Sequence, residues 1–430
     1  MYTVRPMSSA VTPAALPRGL NGYVVLLKTN ADVRNIWLAQ VISQFGDWFN
    51  SVALLGLIYQ ITGDALAATL VQTLTVLPNA FASLTFGGYL ADRFDRRRLA
   101  VAIDLLRAGV AMLLLFVNSA DTLWIAYIVV ATLSIGEAIF GPAIAAAQPN
   151  LCKPHELAAA NALQQSTWAS VSMLGAFVGG IVTLYFGRET AFIVNALSFA
   201  LSAYFILRVR GQFNAPGQST GRLSFAALTE GARFLWKMPT ILGMSLAKTI
   251  FSITFATAGL YSVFSYDVYQ LGDVGTSWLY AARGTGSFLG PMLLPIVFQP
   301  KTLREFFLVM CGGFVISILG YTAWGISPFA ALGALGIFIG HLGSGNLWTS
   351  SRIYVQRETP DALRGRVMAL DMVGFTLIMG LFGPIWGFVA QRSSPSSGVL
   401  LSTSITAALA VLWVILMARR VRTQEAMPSA

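Results

Sequence analysis

Hydrophobic positions in this chain gather into long continuous runs, interrupted by short polar clusters. A membrane-crossing helix takes roughly 20 predominantly apolar residues. By that rule the pattern predicts twelve spans. The first six are Trp37–Tyr59, Leu66–Tyr89, Leu99–Val117, Leu123–Ala147, Ala158–Tyr185 and Ala191–Leu207. After a polar break the other six are Ile241–Phe264, Ser277–Phe298, Phe306–Trp324, Phe329–Ser350, Val367–Ala390 and Val399–Met417. The organisation expected is a flexible N-terminal tail (1–30), a six-helix bundle (31–208), a linker (209–239), a second six-helix bundle (240–418) and a C-terminal tail (419–430). Within the linker, Phe225–Lys237 is amphipathic. Phe225, Leu228, Phe234 and Leu235 are expected to face lipid, and Glu230, Arg233 and Lys237 water, as in a helix lying along a membrane surface. An ordinary linker is the alternative.

The polar clusters set the orientation. Asp92, Arg93, Asp95, Arg96, Arg97 and Arg98 lie between the second and third runs, a charge density that belongs in an aqueous turn. Of the 28 Lys and Arg residues, Arg107, Lys248 and Arg283 fall within spans and Arg188 and Arg392 in loops of the opposite side. All others lie in the tails or in alternate loops, on one side. Basic loops stay cytoplasmic, so both termini are expected in the cytoplasm. The first thirty residues lack a signal-peptide pattern, and the first span is expected to act as an uncleaved insertion signal.

Composition agrees. Apolar residues make up 56% of the 430 and charged residues 11%, where a soluble domain carries about 25% charged. The formal net charge of +10 then reflects basic cytoplasmic loops and gives no reason to expect nucleic acid as a partner. Cys152 and Cys311 are not expected to pair, the two histidines are His155 and His341, and no metal-ligand spacing occurs. No cofactor, nucleophile–base constellation or soluble catalytic domain is indicated, so a membrane enzyme is the least favoured reading.

Ionisable residues inside spans carry the candidate chemistry, because each costs at least about 2.5–3.5 kcal/mol at mid-bilayer. Asp47 on the first span and Glu137 on the fourth both fall near the midplane, which suggests an internal hydrated cavity. Gln40, Gln44, Asp47 and Ser51 recur at helical spacing as one polar stripe, with Trp48 and Asn50 adjacent. Asp47 either binds protons or cationic substrate, or fixes helix packing. Asp104 and Arg107, three apart near the cytoplasmic end of the third span, are expected to form a structural ion pair. Lys248 either lines the cavity or snorkels to the inner interface. Arg283 either meets an acid or reaches the outer surface, and His341 either packs or binds. Small residues at Gly175, Gly179 and Gly180, and at Gly380, Gly383 and Gly387 with Pro384, favour close helix approach.

Several motifs resemble the major facilitator superfamily. Gly88-x-x-x-Asp92-Arg93-x-x-Arg96-Arg97 resembles its loop signature, with Asp95 in place of the usual glycine. The form Asp-Arg-Phe-Asp-Arg-Arg is similar to the transmembrane secretion effector branch, which includes enterobactin exporters and macrolide efflux proteins. So are Arg34-Asn35-x-Trp37-Leu38-x-Gln40-x-x-Ser43-x-x-Gly46-Asp47-Trp48, Phe140-Gly141-Pro142-Ala143 and Glu156-Leu157-x-x-Ala160-Asn161-Ala162-Leu163. The loop Thr359–Val367 is the most specific match.

The resemblance implies an all-α integral membrane fold of twelve helices in two pseudo-symmetric bundles around a central cavity, with alternating access. It places Asp47, Glu137, Lys248 and His341 on cavity-lining spans, and Asp92, Arg93 and Arg97 in a cytoplasmic charge network facing the eleventh span. It implies a multi-pass protein of the bacterial inner membrane; the oligomeric state is open, with a monomer as the default. Its partners would be a small-molecule substrate (a drug, macrolide or siderophore), protons and the lipid bilayer. The proline of the Gly-Pro-x-x-Gly-Gly pattern common in proton-coupled exporters is absent from Gly175–Gly180. No Walker-type phosphate loop is present, which directs the expected energy source to the proton gradient. Lipid or lysolipid transport, or a transport-inactive receptor or scaffold, are the alternatives.

Overall fold

The computed structural model describes residues 20–213 and 225–425. Its elements are α1 (Leu20–Thr29), α2 (Ala31–Thr62), α3 (Ala65–Ala82), α4 (Gly88–Arg93), α5 (Arg96–Ala111), α6 (Leu123–Leu151), α7 (Leu157–Phe186) and α8 (Arg188–Leu207). They continue as α9 (Phe225–Lys237), α10 (Pro239–Phe255), α11 (Leu260–Val263), α12 (Gly272–Val297), α13 (Leu303–Gly325), α14 (Ala330–Glu358), α15 (Asp361–Arg392) and α16 (Pro395–Glu425). Eleven helical stretches are long and apolar enough to cross a membrane. The twelfth span, α12, carries Arg283 among glycines, serines and threonines and is less apolar. It is 26 residues long and packs between α14 and α7.

Local chemistry explains the boundaries. Asn30 caps α2 by accepting from the backbone N–H groups of Asp32 and Val33. Its amide also donates to Glu156 at 2.8 Å and to the Leu151 carbonyl at 2.9 Å, joining α2 to the α6–α7 turn. Asp32 accepts from the N–H groups of Arg210 and Gly211 just after α8. Gly63, at φ +59°, ends α2 in the left-handed conformation that glycine adopts without penalty. At the other end of the third span, Asp95 caps α5.

The chain forms two halves of six spans. α2 packs on α7 and α8, α5 on α6 and α8, and α3 on α6. In the second half α12 and α13 pack on α14, and α10 on α14, α15 and α16. The halves meet mainly through α3 against α15 and α7 against α12. The face bearing α1, α9 and the end of α16 is called the terminal face below, and the opposite one the far face.

Three expectations change. Residues 20–29 of the expected tail form α1, because Leu26 is fully buried against Val33, Ala160 and Leu163. α16 runs into the expected C-terminal tail, to Glu425. α9 does form, but Phe234 and Leu235 pack into the protein core while Trp236 is exposed. Gly231 lies against Leu370 and Arg366, and Arg366 binds Glu230. The apolar face therefore docks on α15 instead of facing lipid. The side chains of Phe225 and Leu228 lie outside the described residues.

Glycine sets the closest contacts of the second half. A Cβ on Gly320 of α13 would come within 2.2 Å of the Gly340 backbone nitrogen on α14, whereas one on Gly312 would meet nothing within 4 Å. Overpacking a close-packed site costs about 1–3 kcal/mol. Gly320→Ala is expected to lower the melting temperature in detergent and Gly312→Ala to leave it unchanged. Equal melting of the two variants would remove this packing argument.

Candidate functional site

Asp47 lies at the middle of the 32-residue α2, and Glu137 at the middle of the 29-residue α6. Between them stands Arg107 of α5. Its guanidinium is 3.2 Å from Asp47, 3.1 Å from Glu137 and 3.5 Å from Asp104. One cation thus faces three carboxylates from three helices. Arg107 and Asp104 are buried (2% and 0% exposed), whereas Asp47 and Glu137 are 36% and 50% exposed. With every member ionised the group carries a net charge of −2.

Neighbouring residues hold this arrangement. The Phe199 ring lies 4.0 Å from the Arg107 guanidinium carbon and supplies a cation–π face. Gly136 leaves room for the Arg107 stem, since a Cβ there would come within 3.0 Å of it. Gly46, adjacent to Asp47, lets α2 approach α8; a Cβ there would sit 2.1 Å from Ser198 Oγ.

The exposed carboxylates face a cavity of about 300 Å³. Its first-half lining includes Asp47, Trp48, Asn50, Ser51, Gln72, Asn79, Arg107 and Glu137, with apolar Leu54, Val71 and Leu133. The second half contributes Tyr280 and Arg283. Trp48 meets the edge of Tyr280 with ring centroids 5.9 Å apart.

Every hydrogen bond, ion pair and ring contact described between the halves lies between mid-depth and the far face. Arg188 Nε donates to Asp273 at 2.8 Å, and the Tyr266 hydroxyl donates to the same carboxylate at 2.8 Å. Arg188 also binds Gln60 and Tyr266, and the Tyr59 hydroxyl donates to Asp267. The Ala65 N–H donates to Gln391 at 2.8 Å, and Thr73 to the Gly380 carbonyl at 2.8 Å. The molecule is therefore sealed at its far face.

The structure brings together only part of the set expected from sequence. Asp47, Glu137 and Trp48 share the cavity. Gln44 is half-buried and outside its lining. Arg107 corrects the expected local pair: besides Asp104 it reaches two more carboxylates, and it sits at mid-depth, where α2 and α6 present theirs. Lys248 neither lines the cavity nor snorkels. It is buried in an ion pair with Asp371 of α15, which also accepts from Ser245 at 2.5 Å, and Trp348 lies over its ammonium at 5.1 Å. His341 is fully buried, 3.0 Å from the Ile337 carbonyl and 3.3 Å from the Tyr321 hydroxyl, and so packs within the second half. Arg93 binds Tyr89, and Arg97 donates to the Leu207 carbonyl; neither makes a described contact with α15, and the Asp92 side chain lies outside the described residues. Sequence reasoning missed Asp371, although it lies ten residues into α15 much as Lys248 lies nine into α10, a match in depth from the same face. It also missed the far-face set of Arg188, Tyr266, Asp267 and Asp273.

A twelve-helix membrane fold in two halves, with a charged central cavity closed at one face, is the architecture of a membrane transporter. Residues 36–373 match the Major Facilitator Superfamily, and the chain belongs to that family. It is a multi-pass membrane transporter. The multidrug efflux pump Tap of Mycobacterium tuberculosis is 25% identical over 399 residues, covering 90% of this chain and 92% of Tap. The enterobactin exporter EntS of Shigella boydii is 25% identical, covering 87% and 91%. A POT family transporter solved in complex with 5-aminolevulinic acid superimposes with a TM-score of 0.72 at 12% identity, covering 90% of this chain and 96% of that one.

Removing Arg107 would leave three carboxylates facing one another inside the membrane. Breaking a buried ion pair by deleting one partner costs about 3–5 kcal/mol. Arg107→Met is expected to lower the thermal midpoint of the purified protein strongly, and Arg107→Lys by less. A midpoint unmoved by Arg107→Met would show that the cluster does not hold the first half together.

Proposed function

We propose that the protein exports amphiphilic small molecules across the bacterial inner membrane by proton-coupled alternating access, as a monomer with both termini cytoplasmic. The carrying observation is the exposed pair Asp47 and Glu137 on a cavity wall whose single buried guanidinium leaves two negative charges unbalanced. Protons and the basic group of a substrate neutralise the same carboxylates, so each displaces the other. That mutual exclusion is what antiport requires.

Several features support the rest. The basic loops share the terminal face, and the positive-inside rule assigns that face to the cytoplasm. The described conformation is then closed on the outside, and the far-face contacts are those that must break for release there. Apolar lining beside the carboxylates suits an amphiphile. The names of two relatives, a multidrug efflux pump and an enterobactin exporter, point to outward movement of small molecules.

In proteoliposomes, Asp47→Asn is expected to abolish transport of ethidium driven by a pH gradient, down to the rate of protein-free vesicles, with thermal stability retained. Unchanged pH-driven flux in a folded Asp47→Asn variant would exclude Asp47 from coupling. Asp273→Asn removes the negative charge, and one of the two acceptor oxygens, that Arg188 and Tyr266 share. It is expected to shift the population toward a far-face-open state by roughly fivefold or more. Spin labels at Ser119→Cys and Ser394→Cys would report this as a longer distance. An identical distance distribution would rule out these contacts as the outer closure.

A further inference from the structure

Arg283 is the second half's charge on the cavity wall, and among the described residues no carboxylate lies within 4 Å of it. Its guanidinium carbon rests 4.4 Å from the Phe255 ring centroid and 5.7 Å from that of Tyr280. This bed is itself fixed. Phe255 packs on His341 and Phe375 with centroids 5.6 and 5.5 Å away. Gly286, almost one turn beyond Arg283, presses α12 onto α14, where a Cβ would come within 2.4 Å of the Phe338 carbonyl. Tyr280 continues the aromatic surface to Trp48.

The contrast with the other two intramembrane cations is chemical. Arg107 faces three carboxylates and Lys248 one, and both are buried. Arg283 is half-buried and held by aromatic faces alone. A ring face stabilises a cation by about 0.5–2 kcal/mol and leaves the N–H fork unoccupied. A planar guanidinium with free donors is the side chain best suited to bidentate recognition of an oxyanion. Across the cavity the Asp47–Glu137 wall has the opposite sign. The two halves thus give the cavity opposite net charge, and Trp48 and Tyr280 meet where the halves join.

We infer that Arg283 is a substrate-binding residue, and that the substrate is an aromatic zwitterion whose carboxylate, or comparable anionic oxygen group, docks on Arg283 while its basic group faces Asp47 and Glu137. This rests on the efflux reading above and adds the charge class of the substrate.

The test uses the full chain expressed in an efflux-deficient bacterial host. Growth inhibition is scored for a panel of aromatic amines, each as its free carboxylic acid and as its methyl ester. Expression is expected to raise tolerance to acids by about tenfold over the matched esters, the range of one charge-assisted contact. Arg283→Gln is expected to remove the preference for acids, and Arg283→Lys to keep part of it, at equal membrane levels. If Arg283→Gln fails to accumulate, the acid–ester comparison in the wild type and the Lys variant still decide. Equal protection against acids and esters by the wild type, or an acid preference intact in Arg283→Gln, overturns the inference and leaves the efflux reading standing. No protection against any compound overturns both.

Discussion

A guanidinium in the middle of a membrane is the constraint around which the first half is built. Alone on a helix, Arg107 would cost at least about 2.5–3.5 kcal/mol. Three carboxylates from α2, α5 and α6 supply the opposing charge, and Phe199 supplies a face that water cannot reach. The interaction therefore fixes three helices at one depth. It also overcompensates. Among the described residues no second cation lies within ion-pair distance of these carboxylates, so the excess must be met by water, protons or a bound cation. Gly136 serves this site directly by leaving room for the Arg107 stem, and Gly46 lets α2 close on α8 beside Asp47.

The second half solves the same problem differently. Lys248 and Asp371 pair one to one, with Ser245 donating to the same carboxylate and Trp348 covering the ammonium. That pair is neutral and shut away from the cavity. Around it α12, α13 and α14 meet through glycines so closely that backbone touches backbone, a packing that leaves little room for adjustment. The halves thus differ in kind: one carries an excess of carboxylates over cations, the other is a stiff platform that presents Arg283. The contacts that join them at the far face are polar and partly solvated. Such contacts are individually weak, as the proposed alternating access requires of an interface that opens and recloses.

Much of the fold was legible because bilayer thickness imposes a length on every apolar run. The α12 span falls short of the apolarity of the other eleven, yet its apolar run was long enough to read, and the alternation of basic clusters agrees with a span there. Asp47 and Glu137 were legible for the same reason: depth follows from residue count. Arg107 was read only in part: its i, i+3 partner Asp104 is visible in sequence and is found, whereas the two partners on other helices leave no local spacing. Lys248 shows the same gap, since no local spacing points to Asp371. The face of α9 was misassigned because amphipathicity tells that one side is covered and not by what. In α1 a single turn of apolar residues within a polar segment was too short to register, and its cover comes from α2 and α7.

Antiport and selectivity place different demands on one cavity. Antiport needs a charge that either cargo can neutralise, and a carboxylate provides it because a proton and an ammonium compete for it directly. Selectivity needs a contact that does not change when protons come and go. A guanidinium keeps its charge throughout the physiological range, so Arg283 would grip an anionic group at any stage of the cycle. If both tasks fell on the carboxylates, every gain in substrate affinity would also resist the incoming proton. Placing them on opposite walls separates the two. Arg107 is held too deeply and by too many partners to join either exchange, and its permanence is what keeps the carboxylates apart in role from the cation across the cavity.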